Sequence, residues 1–315
     1  MDGCANRLFF AQADLGTMSE CLIGKTNGVR MVIAPWNNTA AGDSALAALP
    51  ADWLVPQWPA PAWVRAVASS RTGGVSLAPY NSMNLGDHVE DDPASVARNR
   101  QIWQQLAGVR SVFLQQVHGV EVAELDDAST QASSLVVADA SCTCMRGVAC
   151  TIQVADCLPV LMCHARQRIV GAAHAGWRSL AGQQGQGVLE RLLQKLQALC
   201  PAADDDGWMA WLGPCIGPRA FEVGDEVHAA FVQTQPAAAA CFVAQPAAGK
   251  CGKWLADLAG LARLRLAAMG VQAVYGNNSS LEWCTFSQPQ RFFSYRRDGR
   301  TGRMAAAIWL QSPGG

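Results

Sequence analysis

The stretch IQVADCLPVLMCHARQRIVGAAHAGWRSL, residues 152 to 180, decides the reading of this chain. It holds two short apolar runs, LPVLMC and RIVGAAH, separated by the polar turn ARQ. Continuous runs of this length, rich in residues that favour strands, predict two strands buried on both faces. Each run is bordered by a residue able to bind a metal: Cys157 ahead of the first and His174 at the end of the second. A thiol and an imidazole at the ends of core strands raise the question of a site, beside the ordinary reading of strand-end packing.

Working outward, WVRAVASS, SVFLQQVHG, VEVAEL and VACTIQVAD supply further strands, dense enough for a central sheet. Between the first two, DDPASVARNRQIWQQLAG predicts a helix with Asp92 as N-cap, Pro93 in the first turn and Gly108 as the stop. Beyond the opening stretch, Val188, Leu189, Leu192, Leu193, Leu196 and Leu199 recur at helical spacing, predicting an amphipathic helix that covers one sheet face. The later half continues with a strand at WMAWLG, helices at GDEVHAAFVQ and WLADLAGLARLRLAAMG, a strand at VQAVYG, and the runs RFFSYRR and MAAAIWL. Strands and helices interleave without strict alternation. The expected fold is therefore α/β, with mixed sheets sandwiched between helices in a single domain over residues 51–315. Residues 1–50 lack sustained periodicity and read as a poorly ordered extension.

Composition narrows the function. Half of the 315 residues are hydrophobic and the formal net charge is −1, so a large core is available and no basic footprint for nucleic acid or an anionic membrane exists. No window reaches the roughly 18 consecutive apolar residues of a membrane helix, and the first residues do not read as a signal peptide. The expectation is a cytoplasmic protein with a small-molecule partner. Twelve scattered cysteines then read as reduced thiols, mostly small core residues; the cluster at Cys142, Cys144 and Cys150 lacks paired zinc-ligand spacing.

Of five histidines, His118 and His174 both stand where a strand meets a glycine turn. With Cys157 they make a three-ligand set for zinc with a fourth position open, the pattern of a catalytic metal rather than a structural one. The spacings match no local metal signature, so residues alone leave ordinary strand-end side chains as a rival reading. Asp156 is a candidate base or ligand-orienting group if the chain turns there. Arg71, in SSRTGG, Arg178, in HAGWRSLAG, and Arg296, Arg297, Arg300 and Arg303, in SYRRDGRTGR, are candidates for an anion. No phosphate-binding glycine fingerprint occurs.

Six blocks, SSRTGGVSLAPYNSMNLGDHVEDDPASVARNR, FLQQVHG, VADCLPVLM, AAHAGWRSLAG, AWLGPCIGPRAFEVGDEV and CTFSQPQRFFSYRRDGRTGRMAAAIWL, resemble in order the motifs of the laccase-domain, multicopper-polyphenol-oxidase-like family of the YfiH type. That family comprises zinc-dependent purine nucleoside phosphorylases, also named peptidoglycan editing factors. The resemblance implies that His118, Cys157 and His174 are metal ligands, with Cys157, His174 and Asp156 at the reacting centre. It places Arg71, Gln116, Asp139, Asp156, Arg178 and Arg297 around the pocket. The implied activity is phosphorolysis of adenosine, inosine and S-methyl-5′-thioadenosine, with phosphate as co-substrate, together with deamination of adenosine. Three departures stand out: QQGQGVLE after HAGWRSLAG is longer than usual, Ser179 replaces the usual Gly, and NNSSLEWCT is slightly lengthened.

Other chemistries use the same residues. Two imidazoles and a thiolate also suit Cu2+, as a polyphenol oxidase would need, but a multicopper centre needs a further imidazole cluster and only three histidines are left over. A metal-free Cys157–His174 hydrolase acting on cell-wall precursors is a third reading. A zinc-stabilised binding module with a closed fourth position is a fourth.

Overall fold

The computed structural model describes residues 49–126, 136–201, 205–245 and 252–311, and the backbone of one two-residue antiparallel pairing, Lys25–Thr26 with Val29–Arg30. The expected poorly ordered extension, residues 1–50, lies outside the described residues apart from that pairing and residues 49–50. In chain order the strands are β1 (Val64–Ala68), β2 (Arg110–Phe113), β3 (Val122–Glu124), β4 (Ala140–Thr143), β5 (Val148–Val154), β6 (Leu158–His164) and β7 (Val170–Ala175), followed by β8 (Trp208–Leu212), β9 (Glu222–Gly224), β10 (Phe242–Ala244), β11 (Lys253–Ala256), β12 (Ala273–Gly276) and β13 (Met304–Leu310). The helices are α1 (Pro93–Ala107), α2 (Trp177–Ala181), α3 (Val188–Leu199), α4 (Asp225–Val232), α5 (Leu258–Ala268) and α6 (Tyr295–Asp298).

The opening stretch folds as expected into an antiparallel hairpin, β6 and β7, with every residue of both strands buried. It forms the middle of a six-stranded sheet of order β12-β8-β6-β7-β4-β3. A second sheet, β1-β13-β5-β2, packs face to face on the first, and a small third sheet has the order β9-β11-β10. Alternation along each strand sorts side chains into layers. Leu161 and Cys163 of β6 and Val170 and Ala172 of β7 meet Ile152, Val154, Ala306 and Ile308 between the two large sheets. The other face, with Leu158, Val160, Met162 and Ala173, packs against α3 and α5 through Leu189, Leu192, Leu196, Leu258 and Leu261. On the outer face of the four-stranded sheet, Val67, Ala149, Ala305 and Ala307 receive Trp103 and Ala107 of α1. The architecture is helix, sheet, sheet, helix, which is why the core strands carry unbroken apolar runs.

Helix boundaries follow local chemistry. Asp92 Oδ2 accepts the Ser95 N–H at 2.9 Å at the start of α1, and Gly108 closes it at φ +64. Helix α3 seats closely because β7 offers Gly171 beneath it, where a Cβ would come within 2.8 Å of Leu192 Cδ1. One boundary differs from expectation. The helix read from WLADLAGLARLRLAAMG begins only at Leu258. Trp254 and Leu255 instead pair with β9 and β10, and the Asp257 carboxylate, accepting the Gly260 N–H at 2.9 Å, caps the helix that follows.

The long passage between α2 and α3 is tied into the core by Arg265 of α5. Its Nε lies 2.9 Å from Glu190 Oε1 and its Nη2 donates to the carbonyl of Gly185 at 2.6 Å; Glu190 Oε2 in turn accepts the Gly187 N–H at 2.8 Å. Both side chains are buried. Removing one member strands a buried charge, a cost of about 3–5 kcal/mol. Arg265→Met is therefore expected to lower the free energy of urea unfolding by that amount, while an exposed control such as Gln194→Ala leaves it nearly unchanged.

Candidate metal centre

Strand register brings the site together. Because Ala140 pairs with Ala173 across β4 and β7, Asp139 lies opposite His174, and the His174 N–H donates to the Asp139 carbonyl at 2.7 Å. Leu158 pairs with Ala175, which sets Cys157 opposite Gly176. The turn carrying His118 enters β3, which runs parallel to β4 with Val122 beside Ala140. All three candidate ligands therefore converge at one end of the six-stranded sheet, Cys157 and His174 at the ends of the interior strands β6 and β7, and His118 in the turn that leads into the edge strand β3.

Their donor atoms lie within 4.8 Å of one another, with Cys157 Sγ 3.8 Å from His118 Nε2. Among the described residues this is the only such group of three. The side chains grade from buried His174 through half-buried Cys157 to exposed His118, so the cluster sits at the surface end of the core. Gly176 makes room for it: a Cβ there would stand 3.0 Å from both Cys157 Sγ and His118 Cδ2. The donors fit a divalent metal that takes nitrogen and sulfur, provided the thiol is ionised.

Asp139 organises the cluster. Its fully buried carboxylate accepts the backbone N–H groups of Val117 at 3.1 Å, His118 at 2.9 Å and Gly119 at 2.6 Å, and His174 Nδ1 at 2.8 Å. Successive N–H groups turned towards one anion form a nest. The nest holds His118 at φ +59, a left-handed conformation that costs a non-glycine residue about 1–3 kcal/mol. The bond to Nδ1 turns His174 Nε2 towards the thiol. Burial opposes ionisation of Asp139, but the His174 bond and charge and the backbone donors keep its pKa low.

The same pairing ionises the thiol. Burial alone would raise the Cys157 pKa, yet the charge of His174 and hydrogen bonds from both imidazoles lower it from 9.0 to about 6. Burial likewise disfavours charged His174, but the thiolate and Asp139 raise its pKa to about 9. The core cysteines behave oppositely: burial pushes Cys142 up to about 12 and also raises Cys150, Cys163 and Cys215. Cys157 is thus the thiol among these whose ionised form its surroundings favour.

Residues 65–311 match the family model described as multi-copper polyphenol oxidoreductase laccase. The chain belongs to this family. It is 50% identical to a Pseudomonas aeruginosa protein named purine nucleoside phosphorylase, over 82% of this chain and 98% of that one. It is 45% identical to the Escherichia coli purine nucleoside phosphorylase YfiH, with the same coverage. Among solved structures, a Neisseria meningitidis protein of the DUF152 family superposes with a TM-score of 0.74 at 44% identity, over 83% of this chain and all of that one. YlmD from Geobacillus stearothermophilus superposes with a TM-score of 0.67 at 29% identity, over 80% and 93% of the two chains.

Within this laccase-like framework the remaining candidates fall into two groups. Asp156 stands in the turn between β5 and β6 at φ +96, and its carboxylate bonds a distant segment rather than a candidate ligand: Oδ1 accepts Thr285 Oγ1–H and Oδ2 the Arg296 N–H, each at 2.6 Å. Gln116 clasps the backbone of Gln153 with both ends of its amide, at 2.8 Å each. Arg71 donates to Pro289 and Asn81 carbonyls at 2.8 and 3.0 Å. Arg297 donates to the carbonyls of Thr285, Phe286 and Phe292 and to both Asp298 oxygens. These four bind the protein's own framework. Arg178, by contrast, is exposed on α2 with its guanidinium over the Trp177 ring. The other histidines lie elsewhere: His88 beside Asp87, His164 against Trp208, and His228 stacked on Trp254. Sequence reading passed over Asp139 as an organiser, since an Asp before a small-residue strand carries no local signal.

An amide at residue 139 would turn an NH2 towards one of the N–H donors. Asp139→Asn is expected to weaken metal affinity about 10–100-fold, as measured by competition with a chromophoric chelator. In metal-free protein, thiolate ultraviolet absorbance should titrate near pH 6 and be lost in Cys157→Ser. The stabilisation held by depressed Cys157 disappears as pH falls through about 6, and that held by elevated His174 as pH rises through about 9, so the pair stabilises the metal-free fold between those limits.

Proposed function

We propose that this chain is a zinc-dependent purine nucleoside phosphorylase acting on adenosine, inosine and S-methyl-5′-thioadenosine, with adenosine deamination as a second reaction at the same centre. The observation that carries the reading is the meeting of two imidazoles and an ionised thiol within 4.8 Å at the surface end of the core. Relatives named purine nucleoside phosphorylase, at 45–50% identity over nearly their whole length, support the substrate class. Bound zinc would supply Lewis acidity and would lower the pKa of a bound water.

The chain's own residues supply the rest. His118, Cys157 and His174 would hold the metal, with Asp139 fixing two of the three. Because the thiol is ionised between two imidazoles, Cys157 serves as ligand rather than as a free nucleophile. Asp156 acts by position: bonded to Thr285 and to the N–H of Arg296, it anchors that C-terminal segment to the turn that carries Cys157. Arg71, Gln116 and Arg297 are proposed to shape the pocket through the backbone they hold, while Arg178 remains available to an anion. Phosphorolysis replaces the C1′–N9 bond with a C1′–O bond to phosphate and leaves the base needing a proton, so the site must seat phosphate and nucleoside together.

Copper is the alternative metal, favoured by the family's description and permitted by the ligand set. Against oxidase chemistry, His88, His164 and His228 each have surroundings of their own away from the cluster.

Zinc-loaded full-length protein is expected to release hypoxanthine from inosine and adenine from adenosine or methylthioadenosine only when phosphate is present. Cys157→Ser and His118→Ala should lower kcat/KM by about 100-fold or more, the loss of some 3 kcal/mol of electrostatic stabilisation. Protein that retains zinc yet releases no base would sink the proposal, and copper-dependent turnover of a phenol under oxygen would replace it.

A further inference from the structure

A phosphorylase needs a free anion donor beside its reacting centre, and two of the three arginines that the motif series places around the pocket do not provide one. Arg71 and Arg297 each have all three guanidinium nitrogens bonded within the protein. Arg303 is different. Its Nη1 donates to the carbonyls of Thr301 and Gly302 at 3.0 and 3.2 Å, and among the described residues nothing accepts from Nε or Nη2.

The side chain is also held in place. Asn84 Oδ1 accepts both the Arg303 N–H at 2.8 Å and the Gly86 N–H at 2.9 Å, locking the two backbones together. Gly86 then leaves space for the arginine stem, because a Cβ there would come within 2.7 Å of Arg303 Cγ. The guanidinium lies 5.9 Å from the ring centroid of Tyr295. The next residue, Arg296, has its N–H held by Asp156, the neighbour of Cys157. Arg303 is half-buried, and the charges of Cys157 and Asp156 act on it, as its own charge acts on His88.

The geometry points to Arg303 as the residue that binds the phosphate co-substrate, through the Nε and Nη2 edge of its guanidinium. Two parallel N–H donors on one edge match two oxygens of a phosphate, and partial burial strengthens the contact. Arg178 sits exposed over Trp177 with no such cradle, and Arg296, whose Nη1 donates to the Glu222 carbonyl at 2.8 Å, is exposed over Phe221. This assignment rests on the phosphorylase reading, but it can be tested separately.

The test uses zinc-loaded full-length protein, inorganic phosphate as the varied ligand and saturating inosine, with the phosphate-induced rise in Tm measured in parallel without nucleoside. Arg303→Met, which keeps the apolar stem, is expected to raise the KM for phosphate about tenfold or more, the loss of one or more charge-assisted bonds. It should leave the KM for inosine within about twofold and remove the Tm rise. Arg303→Lys should restore phosphate binding only in part, since an ammonium lacks the paired edge. Gly86→Ala, which displaces the stem but keeps the charge, should weaken phosphate in the same direction. An unchanged phosphate KM and Tm rise in folded Arg303→Met overturns the assignment, as does a selective loss in Arg178→Met instead. If Arg303→Met does not fold, Arg303→Lys and Gly86→Ala decide. If wild-type protein releases no base from any nucleoside, the phosphorylase reading fails on its own, and the Tm measurement still decides whether Arg303 binds phosphate.

Discussion

One buried carboxylate holds the candidate centre together. Asp139 accepts three consecutive backbone N–H groups from the turn that carries His118 and the ring N–H of His174 on the neighbouring strand. A carboxylate with no solvent exposure is costly unless its oxygens are satisfied, and four donors satisfy it. In return it stabilises a left-handed histidine that would otherwise relax, and it sets which nitrogen of His174 faces the thiol. The charge passes on through the cluster: Asp139 favours charged His174, and charged His174 favours the Cys157 thiolate. A metal replacing the proton on His174 would meet ligands already turned and ionised.

The layered sheets explain why so polar a cluster can be placed accurately. Strands β4, β6 and β7 are interior strands whose register is pinned by apolar contacts on both faces. A slip of one residue would exchange Leu161 and Ala172 with their opposite-facing neighbours, disturbing both core layers at once. Hence Asp139 stays opposite His174, and Cys157 opposite Gly176. The C-terminal segment is fastened to the same point by Asp156, whose carboxylate holds Thr285 and the start of α6. Of the candidate arginines, Arg71 and Arg297 brace backbone carbonyls, whereas Arg303 is held in place with donors unused.

Much of the fold could be read directly. The unbroken apolar runs of β6 and β7 announced strands buried on both faces, and Asp92, Pro93 and Gly108 marked the ends of α1 by capping chemistry that acts within a few residues. The leucines of α3 declared a buried helical face. The start of α5 was misread because Trp254 and Leu255 are compatible with either structure until β9 and β10 are present to pair with them. At the site, His118, Cys157 and His174 were legible as metal-binding residue types at strand ends, and the motif series joined them into one set. The motif series placed Asp139 and Gln116 near the pocket, but what they do there was not legible, because Asp139 holds the His118 turn and His174, and Gln116 the backbone of Gln153, across long sequence separations.

By itself, then, the sequence determined the layered α/β class and the family, and it nominated three candidate ligands, since these depend on apolar periodicity, local capping and motif residues that can be read in order. Only the tertiary structure decided which groups support those ligands and which arginines have donors to spare. The type of a polar residue states what it is able to bond, whereas the strand register and long-range packing decide what it meets: Arg71 and Arg297 meet carbonyls, and the free edge of Arg303 meets none.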